Sequence, residues 1–388
     1  MPQPDPPRLP DPAQSAKARA GPAAGPRPLF LSGGTALTGI AQALKAYTHN
    51  SIHLITPFDS GGSSQVLREA LDMPAVGDLR NRFVALADDT APGQAGLLRL
   101  VAYRFAKAAP PDVLLAEFDR LLAGQHDLLA GLSHVKRAQV LALLNAFDAA
   151  RPDSFAFAGA SIGNLVMAGS YVTEGQQIGP ALRATARLIG VQGTVRPIVD
   201  GAFGLGADLA DGSRVAGQRD LTGKEVAPPA APIRRLFLTD HGQELPPKAV
   251  PLPPGNRALI QSADLICYAP GSFFTSVLAN LLPQGVGQAI AARDVPKLYL
   301  PSLGDDPEAR GMRLPDRIDR LLQMLRADAG PDCLDDQLVS LILCDADAVS
   351  AAEAAACAVP VRRLPLRNPA RPERYAPSAV CEALLSLM

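Results

Sequence analysis

The chain has 388 residues, 37 Lys and Arg against 38 Asp and Glu for a net charge of −1, and 47% hydrophobic residues. That length suits two conventional domains or one large α/β domain with insertions, and the apolar share is ample for a large core. The near-neutral balance excludes the basic footprint of a nucleic-acid or anionic-membrane binder, and no apolar run reaches the ~18–20 residues that cross a bilayer.

Residues 1–27 are rich in Pro, Ala and charge, with a single Leu, which predicts a disordered tail. Folded sequence starts at Pro28-Leu29-Phe30-Leu31-Ser32, which meets Gly33-Gly34-Thr35 and then a helix over Ala36–Tyr47 with Leu37, Ile40, Ala41 and Leu44 on one face. Ile52–Thr56 is a second strand. It runs into Asp59-Ser60-Gly61-Gly62-Ser63-Ser64, a helix from Gln65 to Leu71, and a polar turn, Gly77-Asp78-Leu79-Arg80-Asn81. The order β–turn–α–β–turn–α opens a Rossmann-like, mostly parallel α/β sheet with helices on both faces.

Strand signals vanish over about 82–150, where Leu97–Lys107, Pro111–Leu122 and His134–Ala149 carry helical spacing, so this stretch reads as a helical insertion. Phe155–Leu165 leads into a helix through Tyr171, and another follows near Gly179–Ile189. About 193–232 reads as a small β-hairpin insertion, with Asp211-Gly212 at its turn. The α/β rhythm resumes with Arg235–Leu238, an apolar stretch at Ala258–Ser262 and a buried strand over Ala263–Tyr268. The turn Ala269–Ser276 opens a helix ending near Leu282; strands at Lys297–Pro301 and Leu338–Leu343 and helices at Asp316–Ala327 and Pro377–Met388 complete the chain.

Gly33-Gly34-Thr35, Asp59–Ser64 and Pro270-Gly271-Ser272 each sit at a predicted strand carboxyl end. In an open α/β sheet those ends lie on one side, where ligands bind. Glycines let the backbone approach a phosphate, Ser and Thr hydroxyls add neutral donors, and a helix N-terminus favours an anion. One such turn is an ordinary loop closure; three together point to a shared anion site.

Asp59 lies near the spacing of a ribose-binding acid, but no GxGxxG precedes it, which argues against dinucleotide binding in the usual mode. It suits a metal ligand or a general base, with a helix N-cap as the plain alternative. Arg80 suits a bidentate phosphate clamp, with a surface Asp78–Arg80 pair as the plain alternative. Ser161-Ile162-Gly163-Asn164-Leu165 combines a helix cap with a candidate amide contact. The five histidines form no HxH or HExxH pattern, and no G-x-S-x-G elbow is present. Cys267, Cys333, Cys344, Cys357 and Cys381 form no CxxC pair and read as reduced, mostly buried thiols. With no apolar leader at the N-terminus, a cytoplasmic protein is expected.

The segments GGTAL, DSGGSSQVLRE, GDLRN, IGNL and APGSFFTSVLANLL, spread in order over about residues 29–303, resemble the CofD/YvcK superfamily. That superfamily contains the 2-phospho-L-lactate transferases of deazaflavin-cofactor synthesis and bacterial gluconeogenesis factors that bind UDP-N-acetylglucosamine. The similarity is to a CofD-like subgroup encoded beside an ATP-grasp protein and an HPr-kinase-like protein. The resemblance implies a nucleotide diphosphate conjugate as small-molecule ligand or substrate, Mg²⁺ as cofactor, a homo-oligomer (dimer) and protein partners from the same gene cluster. The activity implied is a metal-assisted transferase of a phosphorylated group, or alternatively a non-catalytic regulator that binds a nucleotide sugar.

Carried over, Gly33, Gly34 and Thr35 line the nucleotide phosphates, Asp59 is the catalytic or metal-binding acid, and Gly61, Gly62, Ser63 and Ser64 form the adjacent turn. Asp78, Arg80, Asn81, Asn164, Pro270, Gly271, Ser272, Thr275 and Ser276 complete the expected pocket. Four departures stand out. Ala36 replaces the fourth residue of GGTG, Ser60 replaces the second of two acids, Ala160 replaces a histidine, and Pro301–Asp306 replaces a T-Q-P-G-E-T-like run.

Overall fold

A computed structural model describes residues 9–223 and 227–388. The strands are β1 (Pro28–Ser32), β2 (Ile52–Ile55) and β3 (Thr194–Pro197), then β4 (Gly204–Leu209), β5 (Arg214–Ala216), β6 (Ile233–Asp240) and β7 (Gln243–Glu244). They continue as β8 (Leu265–Tyr268), β9 (Lys297–Tyr299), β10 (Leu341–Asp345) and β11 (Val361–Leu364), and end in the hairpin β12 (Arg367–Asn368) and β13 (Arg371–Tyr375).

Seven of them form one wholly parallel sheet in the order β11-β10-β9-β8-β1-β2-β3. Every residue of β1, β2 and β8 is buried, as expected of central strands covered on both faces. The chain runs outward on one side through β1, β2 and β3, then returns and runs outward on the other through β8 to β11. The crevice between the carboxyl ends of β1 and β8 is therefore the topological switch point.

The helices from the N-terminus to β5 are α1 (Pro12–Ala20), α2 (Thr38–Leu44), α3 (Gly62–Leu71), α4 (Gly77–Leu86), α5 (Gln94–Ala102), α6 (Pro111–Leu122), α7 (His134–Ala150), α8 (Ile162–Thr173) and α9 (Ile178–Ile189). α3 to α9 pack around their own apolar cluster, in which Phe105, Phe118, Phe147, Phe155 and Phe157 meet mostly edge to face. α9 shows why these segments are helices: Ile178, Ala181, Leu182, Thr185, Leu188 and Ile189 recur at helical spacing and all are buried, and Gly190 ends the helix at φ 72°.

The structure departs from the sequence expectations in several places. The tail expected to be disordered over 1–27 is ordered from residue 9 onward, while residues 1–8 lie outside the described residues. α1 begins with Asp11 capping the Ala13 N–H and proline in its first turn. The backbone N–H of Asp11 bonds Ser386 Oγ at 2.6 Å, and Arg19 covers the Tyr47 ring at 4.5 Å while pairing with Glu382. Polar docking holds this segment, which an argument from apolar burial misses.

The helical insertion expected over about 82–150 is larger, since helices run without a strand from Gly62 to Ile189. The hairpin region expected over about 193–232 also divides differently. Thr194–Pro197 is the edge strand of the parallel sheet, whereas Arg235–Leu238, expected in that sheet, lies in β6. β6 pairs antiparallel with β4 (Leu205↔Leu238, Ala207↔Leu236), giving a four-stranded sheet β5-β4-β6-β7. Periodicity marks a strand but not its partner. Ala258–Ser262 belongs to the end of a helix, Pro254–Gln261, begun by proline.

Candidate functional site

The three glycine turns converge. Gly33, Gly34, Thr35 and Ala36 after β1, Asp59 and Gly61 after β2, and Pro270, Gly271, Ser272 and Ser276 after β8 line one cavity of about 250 Å³ at the switch point. Asp78, from the first turn of α4, completes this set. The roof is a short helix, α10 (Gln218–Thr222), supplied by the antiparallel insertion through Gln218, Arg219 and Thr222. These three were not foreseen: a short polar run beyond a hairpin carries no signal of where the hairpin folds.

Glycine lets the floor approach its neighbours closely. A Cβ on Gly33 would stand 2.3 Å from Ser276 Oγ, and one on Gly34 would stand 2.2 Å from Asp78 Oδ1. The first turn is held from beneath by Arg82, whose Nη2 donates to the Gly33 and Gly34 carbonyls at 3.3 and 3.1 Å. Arg82 is 1% exposed, and burial pushes its guanidinium down to about 10, with Asp78 opposing the shift. Sequence reasoning missed Arg82, because an arginine on a helix is normally assigned to solvent.

Asp59 does not cap a helix. Its Oδ1 accepts the Gly61 N–H at 3.0 Å in a local turn, and Gly61, the N-cap of the ten-residue α3, lines the cavity. Arg68 fixes the turn from behind, donating to the Asp59, Ala202 and Phe203 carbonyls. Ser60, which stands where a second acid was expected, accepts the backbone N–H of Arg219 at 3.0 Å.

Seven expected residues lie outside the lining of this cavity: Gly62, Ser63, Ser64, Arg80, Asn81, Asn164 and Thr275. Arg80 is buried, neither a surface partner of Asp78 nor a cavity clamp. Its Nη1 donates to Ser161 Oγ at 2.6 Å and its Nη2 to Asn81 Oδ1 at 2.7 Å. Burial, then the neighbouring Arg104 charge, pushes it down to about 10, with Asp78 opposing. Asn164 Nδ2 donates to Ser63 Oγ at 3.3 Å, which joins α8 to α3. Ser64 is buried against Gly77, where an added Cβ would stand 2.6 Å from its Oγ. These residues form the layer that supports the cavity wall.

Thr275 is tied elsewhere. Its hydroxyl donates to Glu308 Oε1 at 2.6 Å, and Glu308 Oε2 accepts the Phe274 and Thr275 N–H groups at 3.1 and 2.8 Å. Asp306 Oδ2 accepts the Phe273 N–H at 2.7 Å. The expected helix here is a five-residue π-type turn, Phe273–Val277, followed by a tight 3₁₀ turn, and carboxylates of the chain itself occupy its N-terminal donors. From this segment, Pro270, Gly271, Ser272 and Ser276 line the cavity.

A divalent cation is tested by its donors. Among the described residues no three His, Cys, Asp or Glu side chains converge, so no all-protein metal cage exists there. Two carboxylates, Asp59 and Asp78, line the cavity, which fits an ion such as Mg²⁺ that takes one or two carboxylates and completes its shell with water and phosphate oxygens.

Comparison with known proteins gives this geometry a family. The family described as 2-phospho-L-lactate transferase CofD matches residues 29–362, from β1 to β11. The chain belongs to the CofD family. A gluconeogenesis factor of Halalkalibacterium halodurans is 29% identical over 314 residues, covering 80% of this chain and 76% of its own. That of Listeria monocytogenes is 28% identical over 280 residues, covering 72% and 67%. The chain spans about half, 51%, of two longer relatives. The fold matches a crystal structure of a UPF0052-family protein from Bacillus halodurans, with a TM-score of 0.68 at 24% identity over 93% of this chain and 99% of that one. This CofD-family chain thus keeps the Rossmann-like sheet and its switch-point crevice, while Ala36 and Ser60 line or brace the cavity at two departures from the family pattern. Among the described residues, no helix is long and apolar enough to cross a membrane.

Proposed function

We propose that the switch-point cavity binds a nucleoside diphosphate conjugate and that the protein transfers a phosphorylated group from it. One observation carries this reading: turns from the carboxyl ends of β1, β2 and β8 line a single cavity whose glycine floor stands directly against Ser276 and Asp78. Such backbone suits a diphosphate, and α3, whose N-cap Gly61 lines the cavity, adds a favourable dipole. Arg219 is the cationic side chain among the described lining residues, and it takes the clamp role expected of Arg80. Asp59 and Asp78 would hold Mg²⁺, which supplies neutralisation of the phosphate charge when bound. Alternatively, Asp59 would take the proton of an acceptor hydroxyl. Charge that develops on the transferred phosphate would meet preorganised backbone N–H groups and Arg219.

A second reading, a regulator that binds a nucleotide sugar without turnover, is favoured by Ser60. The second acid of the pattern is gone, and its replacement is bound to the roof. Calorimetry with UDP- and GDP-conjugates, followed by turnover of a labelled conjugate, tests both. Binding with turnover supports the transferase and binding without it supports the regulator. Absence of binding by any conjugate, or binding indifferent to Asp59→Asn, defeats both.

A further inference from the structure

A second cavity, of about 510 Å³, lies along the same edge of the parallel sheet, beyond the carboxyl ends of β9 and β10. It is larger than the switch-point cavity and falls within the roughly 300–1,000 Å³ of small-molecule sites. The segment Pro301–Asp306, which departs from the family pattern, forms part of its wall.

The two cavities share structure. Ser302 Oγ accepts the Gly271 N–H and donates to the Gly271 carbonyl, both at 2.8 Å, so a wall residue of one clasps a wall residue of the other. Two carboxylates in the larger cavity are engaged with backbone: Asp306 takes the Phe273 and Glu308 N–H groups, and Glu353 takes the Leu314 N–H. Asp305 and Arg310, both exposed at the rim, offset each other in charge. Arg317 differs. Its side chain lines the cavity, and its charge acts on the buried Tyr299 hydroxyl. Met312 and Val349 provide an apolar flank.

We propose that this cavity binds a small organic acid, its carboxylate or phosphate paired with Arg317 and its hydrocarbon part lying against Met312 and Val349. A partly buried guanidinium on a cavity wall is a ready partner for a planar or tetrahedral oxyanion. The site stands whether or not the switch-point cavity takes a nucleotide. If both are filled, the Gly271–Ser302 clasp sets two ligands side by side on one sheet edge, the arrangement a group transfer to an acidic acceptor requires.

Calorimetry on the full chain with glycerol 3-phosphate, succinate and, as the neutral control, glycerol tests the inference. Saturable binding of at least one acid and none of glycerol is expected, and the tighter acid identifies the head group. Arg317→Met should weaken that binding about tenfold or more, the worth of a charge-assisted hydrogen bond. Ala348→Trp, at an exposed position of the rim, fills the cavity without disturbing the core and should abolish binding. Gly34→Ala should leave it unchanged. The inference is overturned if neither acid binds saturably, if both cavity variants bind like the wild type, or if Gly34→Ala removes binding and so places the acid at the switch point.

Discussion

Ser60 Oγ accepts the backbone N–H of Arg219 at 3.0 Å, tying the turn after β2 to a helix of the antiparallel insertion 159 residues later. This contact sets the roof of the switch-point cavity over its wall, and it separates two roles that a list of arginines would merge. Arg219→Met should weaken a UDP- or GDP-conjugate about 10- to 100-fold with little change in Tm, since about 1.5–3 kcal/mol attaches to a hydrogen bond from a charged donor. Arg80→Met should do the reverse: Ser161 and Asn81 lose their buried partner, so stability falls and affinity moves little. Calorimetry and urea unfolding on both variants check the pair.

Gly34→Ala places a methyl group on the Asp78 carboxylate. A side-chain oxygen can swing away, so the fold survives at a cost of about 1 kcal/mol, but the carboxylate leaves its position beside the β1 turn. Conjugate binding should fall at least tenfold while the unfolding midpoint shifts slightly. Equal affinity in the variant would separate Asp78 and this turn from ligand binding.

Thr275 and Glu308 test whether a motif residue serves the ligand or the fold. Thr275→Val removes a buried hydroxyl that donates to a buried carboxylate, and should cost about 1–3 kcal/mol without altering affinity. Glu308→Ala, which strips the acceptor from two backbone N–H groups and that hydroxyl, should cost more. A Thr275→Val protein with intact stability and lost binding would return Thr275 to the pocket.

His53 makes stability depend on pH. It is fully buried, stacked on Phe30 at 5.1 Å, with Nδ1 unpartnered, and burial followed by the Arg82 charge holds its pKa well below 6.5. Below pH 6.5 the unfolded chain takes up a proton that the folded chain refuses. This residue should therefore remove up to about 1.4 kcal/mol of stability per pH unit as pH falls from 6.5 toward the folded pKa. His53→Phe should flatten the difference between pH 7 and pH 5 in urea unfolding. An unchanged pH slope would show that His53 is protonated in place.

The sheet was largely legible. β1, β2 and β8 are short apolar runs that stop at glycine-rich turns, and burial on both faces leaves little else for such runs to be. The pocket was legible only where the backbone itself forms it. Gly33, Gly34, Gly61 and Gly271 reach the cavity because their position at strand ends dictates it. Thr275 shares a motif with Gly271, and Arg80 and Asn164 stand in motifs of their own, yet their side chains turn to Glu308, Ser161 and Ser63. Side-chain direction depends on partners that are distant in sequence.

Apolar periodicity and turn chemistry act within a few residues, so the sequence by itself determined the parallel α/β core, the three turns at its carboxyl edge and the acid at Asp59. Long-range packing settled the remainder. It chose β4 as the partner of β6, brought α10 over the cavity, buried Arg82 beneath the first turn and turned Glu308 onto Thr275. Each of these joins segments whose separation along the chain leaves no local trace, because what stabilises them is a shared desolvated environment that exists only once the chain has folded.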